Sequence, residues 1–246
     1  MLIADDFGLG REHDKVILDL IEHHRLDGTS VMIDGDIAAA DMDRLRLLRS
    51  RGARVGLHLN VTHDFSEKAN HRSVGRLLLA CFSGNLPDDI RGEFQRQAEK
   101  FQASFGFLPD YYDGHQHCHC LPGLDALAAR LPHDAKTWIR VPLPATFAGL
   151  VLNLRAGGQK VLLIAALAAL ARRTFRKAGW ATNRDFSGFL RLDRPDQVAR
   201  WLTRLLAAAP TDGVTMVHPG SATDPVQCPG HVAESRRIEA SILSSM

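Results

Sequence analysis

Four cysteines in a chain of 246 residues supply no disulfide framework. The formal charge of +2 is close to balance, so no electrostatic argument favours nucleic acid or an anionic membrane as the main partner. Arginines are spread along helical segments, as on solvated faces. The longest apolar stretch, Val161 to Ala171, is too short to span a bilayer and is flanked by Lys160 and Arg172-Arg173, which excludes an integral membrane segment as the reading. The first residues run straight into Asp5-Asp6 without a leader pattern, and a cytoplasmic location is expected. There is no internal repeat, no low-complexity stretch and no linker. A glycine-rich phosphate cradle and a second carboxylate cluster are missing too, which disfavours phosphoester chemistry.

What is present is a set of polar clusters on apolar runs. Hydrophobic residues make up 45% of the chain, enough for one large α/β domain over 1–246. The segment Tyr112-Asp113-Gly114-His115-Gln116-His117-Cys118-His119 places three histidines at every second position behind an aspartate. Read as a strand over about 110–118, it turns Asp113, His115, His117 and His119 to one face. Imidazoles beside a carboxylate are a common divalent-metal site, and the competing reading is an exposed polar strand or hydrogen-bonded core histidines. Cys118 and Cys120 fall on the opposite face as small buried residues.

Three further clusters sit at strand ends. Met1-Leu2-Ile3-Ala4 leads into Asp5-Asp6-Phe7-Gly8, a buried strand closing on two carboxylates, although an Asp pair also suits a helix N-cap. In Val55-Gly56-Leu57-His58-Leu59-Asn60, His58 and Asn60 share a face. Gly213-Val214-Thr215-Met216-Val217 ends in His218-Pro219-Gly220, where a loop-borne catalytic group would sit. Between them the pattern alternates strand and helix. Helices are expected at about 11–25, 37–51, 87–105, 122–131, 159–177 and 195–209, with residues 63–90 largely irregular. Such alternation predicts a parallel β/α barrel.

In order along the chain, Ala4-Asp5-Asp6-Phe7-Gly8-Leu9, Thr29-Ser30-Val31-Met32, Gly56-Leu57-His58-Leu59-Asn60, the Asp113–His119 run, Ile139-Arg140-Val141-Pro142 and His218-Pro219-Gly220 resemble the motifs of the YdjC-like carbohydrate deacetylases. That group includes chitooligosaccharide deacetylases and a hopanoid-pathway deacetylase. Arg237 and Glu239 lie where the family has an Arg-x-Glu pair on its last helix. Asp14 stands where the family commonly has asparagine, only Met1-Leu2-Ile3 precede the first motif, and the chain stops at Met246.

The resemblance implies a distorted, incomplete TIM-like barrel with fewer than eight regular units. It also implies metal-dependent removal of the acetyl group from an N-acetylated amino sugar. By analogy, Asp6, His58 and His115 would hold one divalent ion, zinc or magnesium. The nitrogen-containing donor set suits zinc or another transition metal better. Asp5 would be the general base and His218 would protonate the departing amine, with the roles of the two aspartates open to reversal. Asp113 would orient an imidazole, and Arg140 would bind substrate or serve as a salt-bridge partner. Asn60 belongs to the same group of substrate-binding or supporting residues, while His117 and His119 carry no assigned role.

The helix at 159–177 and Trp180 are either core packing or one wall of the cleft. The partners expected are an N-acetylated saccharide or glycolipid and, at most, a second copy of the chain in a homodimer. Two other functions stay open: a non-catalytic sugar- or metal-binding barrel, and a metal-dependent hydrolase of another bond such as a phosphoester.

Overall fold

Eight strands form a single sheet in the computed structural model, which describes residues 1–65 and 73–246. They are β1 (Leu2–Phe7), β2 (Gly28–Val31), β3 (Arg54–Leu59), β4 (Tyr111–Gly114), β5 (Trp138–Ile139), β6 (Ala181–Thr182), β7 (Asp185–Ser187) and β8 (Gly213–Val217). Every pairing is parallel, in the order β6-β5-β4-β3-β2-β1-β8-β7. The register runs through Ala4↔Thr29 on one side of β1 and Ala4↔Val217 on the other. Because β6 and β7 follow each other in sequence yet stand at opposite ends of this order, the sheet is a barrel with its seam between them. A parallel sheet needs apolar cover on both faces, and the strands are accordingly Val-, Ile- and Leu-rich and almost wholly buried.

The helices supply that cover. In α1 (Arg11–Glu22), Ile17, Leu18, Leu20 and Ile21 are buried at helical spacing. α2 (Ala39–Ser50) seats Leu45 and Leu48. The connection after β3 holds α3 (Val74–Ser83), α4 (Asp88–Arg91) and α5 (Glu93–Phe105), and α5 drives Phe94, Phe101 and Phe105 into the core. After β4 comes α6 (Leu124–Ala128), and after β5 the pair α7 (Phe147–Gly157) and α8 (Lys160–Lys177). α9 (Pro195–Ala207) and α10 (Ala233–Ser244) follow β7 and β8. No helix separates β6 from β7, and β5 and β6 are two residues each, so the regular units number fewer than eight, as the resemblance implied.

Several expectations are corrected. The histidine segment is a strand only to Gly114. His115–Cys120 is a 3-10 turn in which Gln116 and His117 take left-handed φ of 52° and 59°. His115, His117 and His119 therefore do not share one strand face. Gly114 permits the fold-back: a Cβ there would stand 2.7 Å from His119 Nδ1. The stretch expected to be irregular contains α3, started by Ser73, whose Oγ accepts from Arg76 N at 3.1 Å; residues 66–72 of that stretch lie outside the described residues. The helix expected over 87–105 is broken at Gly92 into α4 and α5. No helix among the described residues is long and apolar enough to cross a membrane.

Candidate active site

The carboxyl ends of β1, β3, β4 and β8 converge on one polar cluster. β1 delivers two aspartates with different surroundings. Asp5 is inside the strand and meets Arg140, the residue that follows β5. Arg140 Nη1 donates to Asp5 Oδ1 at 2.6 Å and Nη2 to Oδ2 at 2.5 Å, so both carboxylate oxygens are taken. The same Nη2 lies 3.0 Å from Asp113 Oδ2. Arg140 is fully buried: it serves these two carboxylates and has no surface for a sugar. Asp6 has φ of 69°, a left-handed turn at the strand end that Asp tolerates better than most residues, followed by Gly8 at 92°. Its Oδ2 accepts from Arg236 Nη2 at 2.6 Å. Its Oδ1 faces His58 Nε2 at 3.3 Å and His115 Nδ1 at 3.0 Å.

These contacts pass a test for a metal ion. With metal–donor bonds of about 2.0–2.2 Å, two donors at tetrahedral or octahedral angles stand roughly 2.8–3.6 Å apart. The two distances from Asp6 Oδ1, to His58 Nε2 and to His115 Nδ1, match that spacing, and the three residues together form one compact group of possible ligands. Asp5, His58 and Asp113 also lie close together, but Arg140 already neutralises both carboxylates. Asp6, Cys228 and His231 form another group, and there the Arg236 guanidinium occupies the carboxylate oxygen. His58 is oriented as a ligand usually is: its Nδ1 lies 2.6 Å from Asp113 Oδ1, which leaves Nε2 for the centre. Ser30 Oγ donates to Asp113 Oδ2 at 2.5 Å and pairs with Tyr111 OH at 3.0 Å, extending the support behind β2 and β4.

The electrostatics separate the groups. Burial raises the Asp5 carboxyl above its ordinary range, with Arg140 opposing. Burial would raise Asp6 as well, but His115 and Arg236 prevail and hold it well below the usual range. Burial disfavours a charged His58, yet Asp113 and Asp5 push it up to about 10, and Cys228 and Asp6 likewise take His115 up to about 9 against its burial. Two buried imidazoles that draw protons into a nest of carboxylates mark a position where a cation belongs; binding one would displace those protons.

His218, just past β8, is held by its backbone N–H, which donates to Glu239 Oε2 at 2.5 Å. Burial keeps its imidazole well below the ordinary range; Asp6 opposes this and Arg236 reinforces it. A cavity of about 340 Å³ opens over Asp5, His58, His115 and His218. His117 lines it as well, packed on Phe189 at 5.4 Å between ring centroids. His119 points away and bonds through Nε2 to Arg140 O at 2.7 Å, fixing the backbone of the arginine that clamps Asp5.

Asn60 is beside the cluster and does not line this cavity. Its Oδ1 accepts from Thr62 and His63 N–H groups at 3.1 and 2.8 Å, shaping the loop after β3. Trp180 is likewise no wall: it is buried, and its indole N–H donates to Ala129 O at 3.0 Å. Of the Arg-x-Glu pair, Arg237 is exposed and paired with Glu234, and it is the unassigned Arg236 that enters the site. Arg236 and Glu239 are three apart on α10 and share a face; Arg237 and Glu239, two apart, do not. Helical spacing alone would have picked Arg236. Cys228, with Sγ 3.7 Å from His115 Nε2, had no comparable signal in the sequence.

A family model described as YdjC-like protein matches residues 1–246. Among relatives, the chain is 32% identical over 129 residues to a chitooligosaccharide deacetylase of Serratia marcescens, covering 48% of this chain and 49% of that protein. It is 30% identical over 161 residues to a Yersinia enterocolitica protein of the same name, covering 61% and 62%, and 27% identical over 175 residues to a human carbohydrate deacetylase, covering 59% and 53%. The matches thus span about half the length of the first of these relatives. In fold, the chain resembles the crystal structure of an Enterococcus faecalis V583 protein named for cellobiose-phosphate cleavage, with a TM-score of 0.65 at 16% identity over 100% of this chain and 90% of that one. With the strand-end cluster in place and the family model matched from end to end, the chain belongs to the YdjC-like family.

Proposed function

We propose that this protein hydrolyses the acetamido group of an N-acetylated amino sugar, using a divalent ion held by Asp6, His58 and His115. The observation that carries the reading is the placement of Asp6 Oδ1 within 3.3 Å of His58 Nε2 and 3.0 Å of His115 Nδ1, where those two histidines line a cavity together with Asp5 and His218. The names of the relatives supply the substrate class. A bound divalent ion would lower the pKa of water and polarise the acetyl carbonyl.

The chain's residues supply the rest. Arg140 holds both oxygens of Asp5, which sets it against ligating a cation, and burial, prevailing over Arg140, raises its proton affinity toward taking a proton from water. His218 enters the reaction neutral. As negative charge develops on the former carbonyl oxygen, His218 gains affinity for the proton collected by Asp5 and passes it to the departing nitrogen. The C–N bond breaks, one water is consumed, and acetate and a free amine leave. Asp113 keeps His58 in one orientation throughout. Zinc is the preferred ion because two imidazoles and one carboxylate are the donor set for such a site.

The test is acetate release from N-acetylglucosamine oligomers and glycosides by protein whose metal content has been measured. Acetate should appear in proportion to occupancy and stop on chelation. A folded, metal-loaded protein that releases none from any N-acetylated sugar would overturn the reading.

A further inference from the structure

Cys228 borders the cluster, and the proposed reaction gives it no task. It sits in the connection between β8 and α10, 3% exposed, packed with Leu9 and Met32 and touched by Phe65. That packing accounts for a small buried side chain. It does not account for the two imidazoles beside it. One donor atom each from His63, His115 and Cys228 lies within 4.8 Å of the other two. From Cys228 Sγ to His115 Nε2 the distance is 3.7 Å. With metal–sulfur bonds of about 2.3 Å and metal–nitrogen bonds of about 2.0–2.1 Å, a tetrahedral centre puts sulfur and nitrogen roughly 3.5–3.6 Å apart.

The two histidines are presented to the thiol by separate means. His63 is on the loop after β3, where Asn60 grips its backbone from both sides: Oδ1 accepts its N–H at 2.8 Å and Nδ2 donates to its carbonyl oxygen at 2.6 Å. The rings of His63 and His115 meet edge to face, with centroids 6.1 Å apart. His115 has its Nδ1 3.0 Å from Asp6 Oδ1. When Nδ1 carries the proton, that contact is the carboxylate–imidazole bond that commonly stands behind a ligating histidine, and Nε2 is left facing the sulfur. His63 lines a cavity of about 540 Å³ and His115 lines the catalytic one, so an ion has access to the donors from two sides.

We propose that His63, His115 through Nε2, and Cys228 form a second cation site, for a thiophilic ion such as zinc or cadmium, and that filling it empties the Asp6 site. Thiolate and imidazole donors favour such ions over magnesium. On binding, the Cys228 thiol gives its proton to solvent and the sulfur joins the metal as thiolate. His115 is shared by the two sites through opposite ring nitrogens. With Nδ1–H donating to Asp6, it is a ligand at Nε2 and none for an ion between Asp6 and His58. Serving both at once would require the imidazolate anion. The second site is therefore inhibitory, filled when thiophilic metal is in excess. It stands on its own donors, and only its effect on acetate release rests on the deacetylase reading.

The test adds cadmium to the metal-free full chain under reducing conditions and reads the ultraviolet thiolate-to-cadmium charge-transfer band. The band should saturate at the intensity of a single thiolate, survive in Cys81→Ser and vanish in Cys228→Ser, and magnesium should produce none. His63→Ala, at a half-buried loop position, should weaken cadmium binding by more than the about 10–100-fold that a supporting partner costs, and it decides the matter if Cys228→Ser does not fold. No band in the parent, a band that persists in Cys228→Ser, or unchanged affinity in His63→Ala would each overturn the site. Manganese tests the exclusion. Loaded at Asp6, it should be released as the band forms, read by electron paramagnetic resonance of the free ion, and Cys228→Ser should need at least about tenfold more cadmium to release it. Manganese retained while the band forms, or released at equal cadmium in both proteins, would overturn the exclusion. If the chain never holds manganese yet gives the band, the deacetylase reading loses its ion and the thiolate site stands.

Discussion

Asp5 and Asp6 are adjacent in the chain, equally buried, and each paired with a fully buried arginine, yet the two sides of the cluster do opposite things. On the Arg140 side, the guanidinium takes both oxygens of Asp5 and one of Asp113, leaving no carboxylate edge for a cation. On the Arg236 side, it takes only Oδ2 of Asp6 and leaves Oδ1 to two imidazoles. Burial leaves Asp5 raised, whereas Asp6 is held well below the usual range. On the proposed reading, proton acceptor and metal ligand would be distinguished by how many oxygens a neighbouring arginine consumes. Two like carboxylates acquire different chemistry from environment alone.

The most drastic way to break that contrast is on the Asp6 side. Asp6→Asn or His58→Ala should abolish stoichiometric metal, read by elemental analysis after dialysis, and reduce acetate release to background. If both variants kept full metal, the site would have to be reassigned. Asp5→Asn is the complementary experiment. It should retain metal and lose about 10²–10⁴ in kcat, the range for removing a general base. Metal loss in this variant would exchange the roles of the two aspartates.

Much of this contrast was visible in the sequence, and the reasons for the rest are physical. The strand ends could be read because apolar runs stop abruptly at Asp5-Asp6, His58 and His218, and parallel strands bring such ends together. The His-x-His-x-His run was misread as a strand because alternation is the signature of a strand, while the left-handed φ of Gln116 and His117 is imposed by packing that no local pattern announces. Arg140 showed in sequence as a polar residue among apolar ones, but whether it faced substrate or Asp5 depended on a contact 135 residues away. That Arg236 and not Arg237 shares a face with Glu239 was decidable from helix periodicity, whereas the motif resemblance named only Arg237 and Glu239. α3 lacked a clear start signal beyond Ser73, whose cap is worth only about 1 kcal/mol.

A smaller effect sharpens the Arg236 side. Arg236→Met leaves Asp6 and Glu239 in the interior with one cation fewer, and breaking a buried ion pair costs about 3–5 kcal/mol. Arg237→Met, one residue on, removes an exposed partner of Glu234 and should leave the urea midpoint where it was. Equal losses in the two variants would mean that the face of α10 turned to the site is not the one described.

The last effect is spread over pH and concerns Asp14, behind the β1 turn. Its Oδ1 accepts the Gly8 N–H at 2.6 Å, while Oδ2 is buried with no hydrogen-bond partner. Burial pushes this carboxyl up to about 8 from 3.8. The folded state therefore binds a proton that the unfolded state has released between those values. Stability contributed by the neutral carboxyl is fully present below about 4 and is lost as pH rises toward 8. The slope approaches about 1.4 kcal/mol per pH unit in that window. Asp14→Asn keeps an oxygen for Gly8 N–H and does not titrate, so its stability curve should be flatter. By urea denaturation, the variant should gain on the parent progressively from pH 5 to pH 8. A constant difference across that range would show that Asp14 is ionised in the folded protein throughout, with a cation or water satisfying Oδ2, and that the turn carrying Asp6 rests on a charge instead of a shared proton.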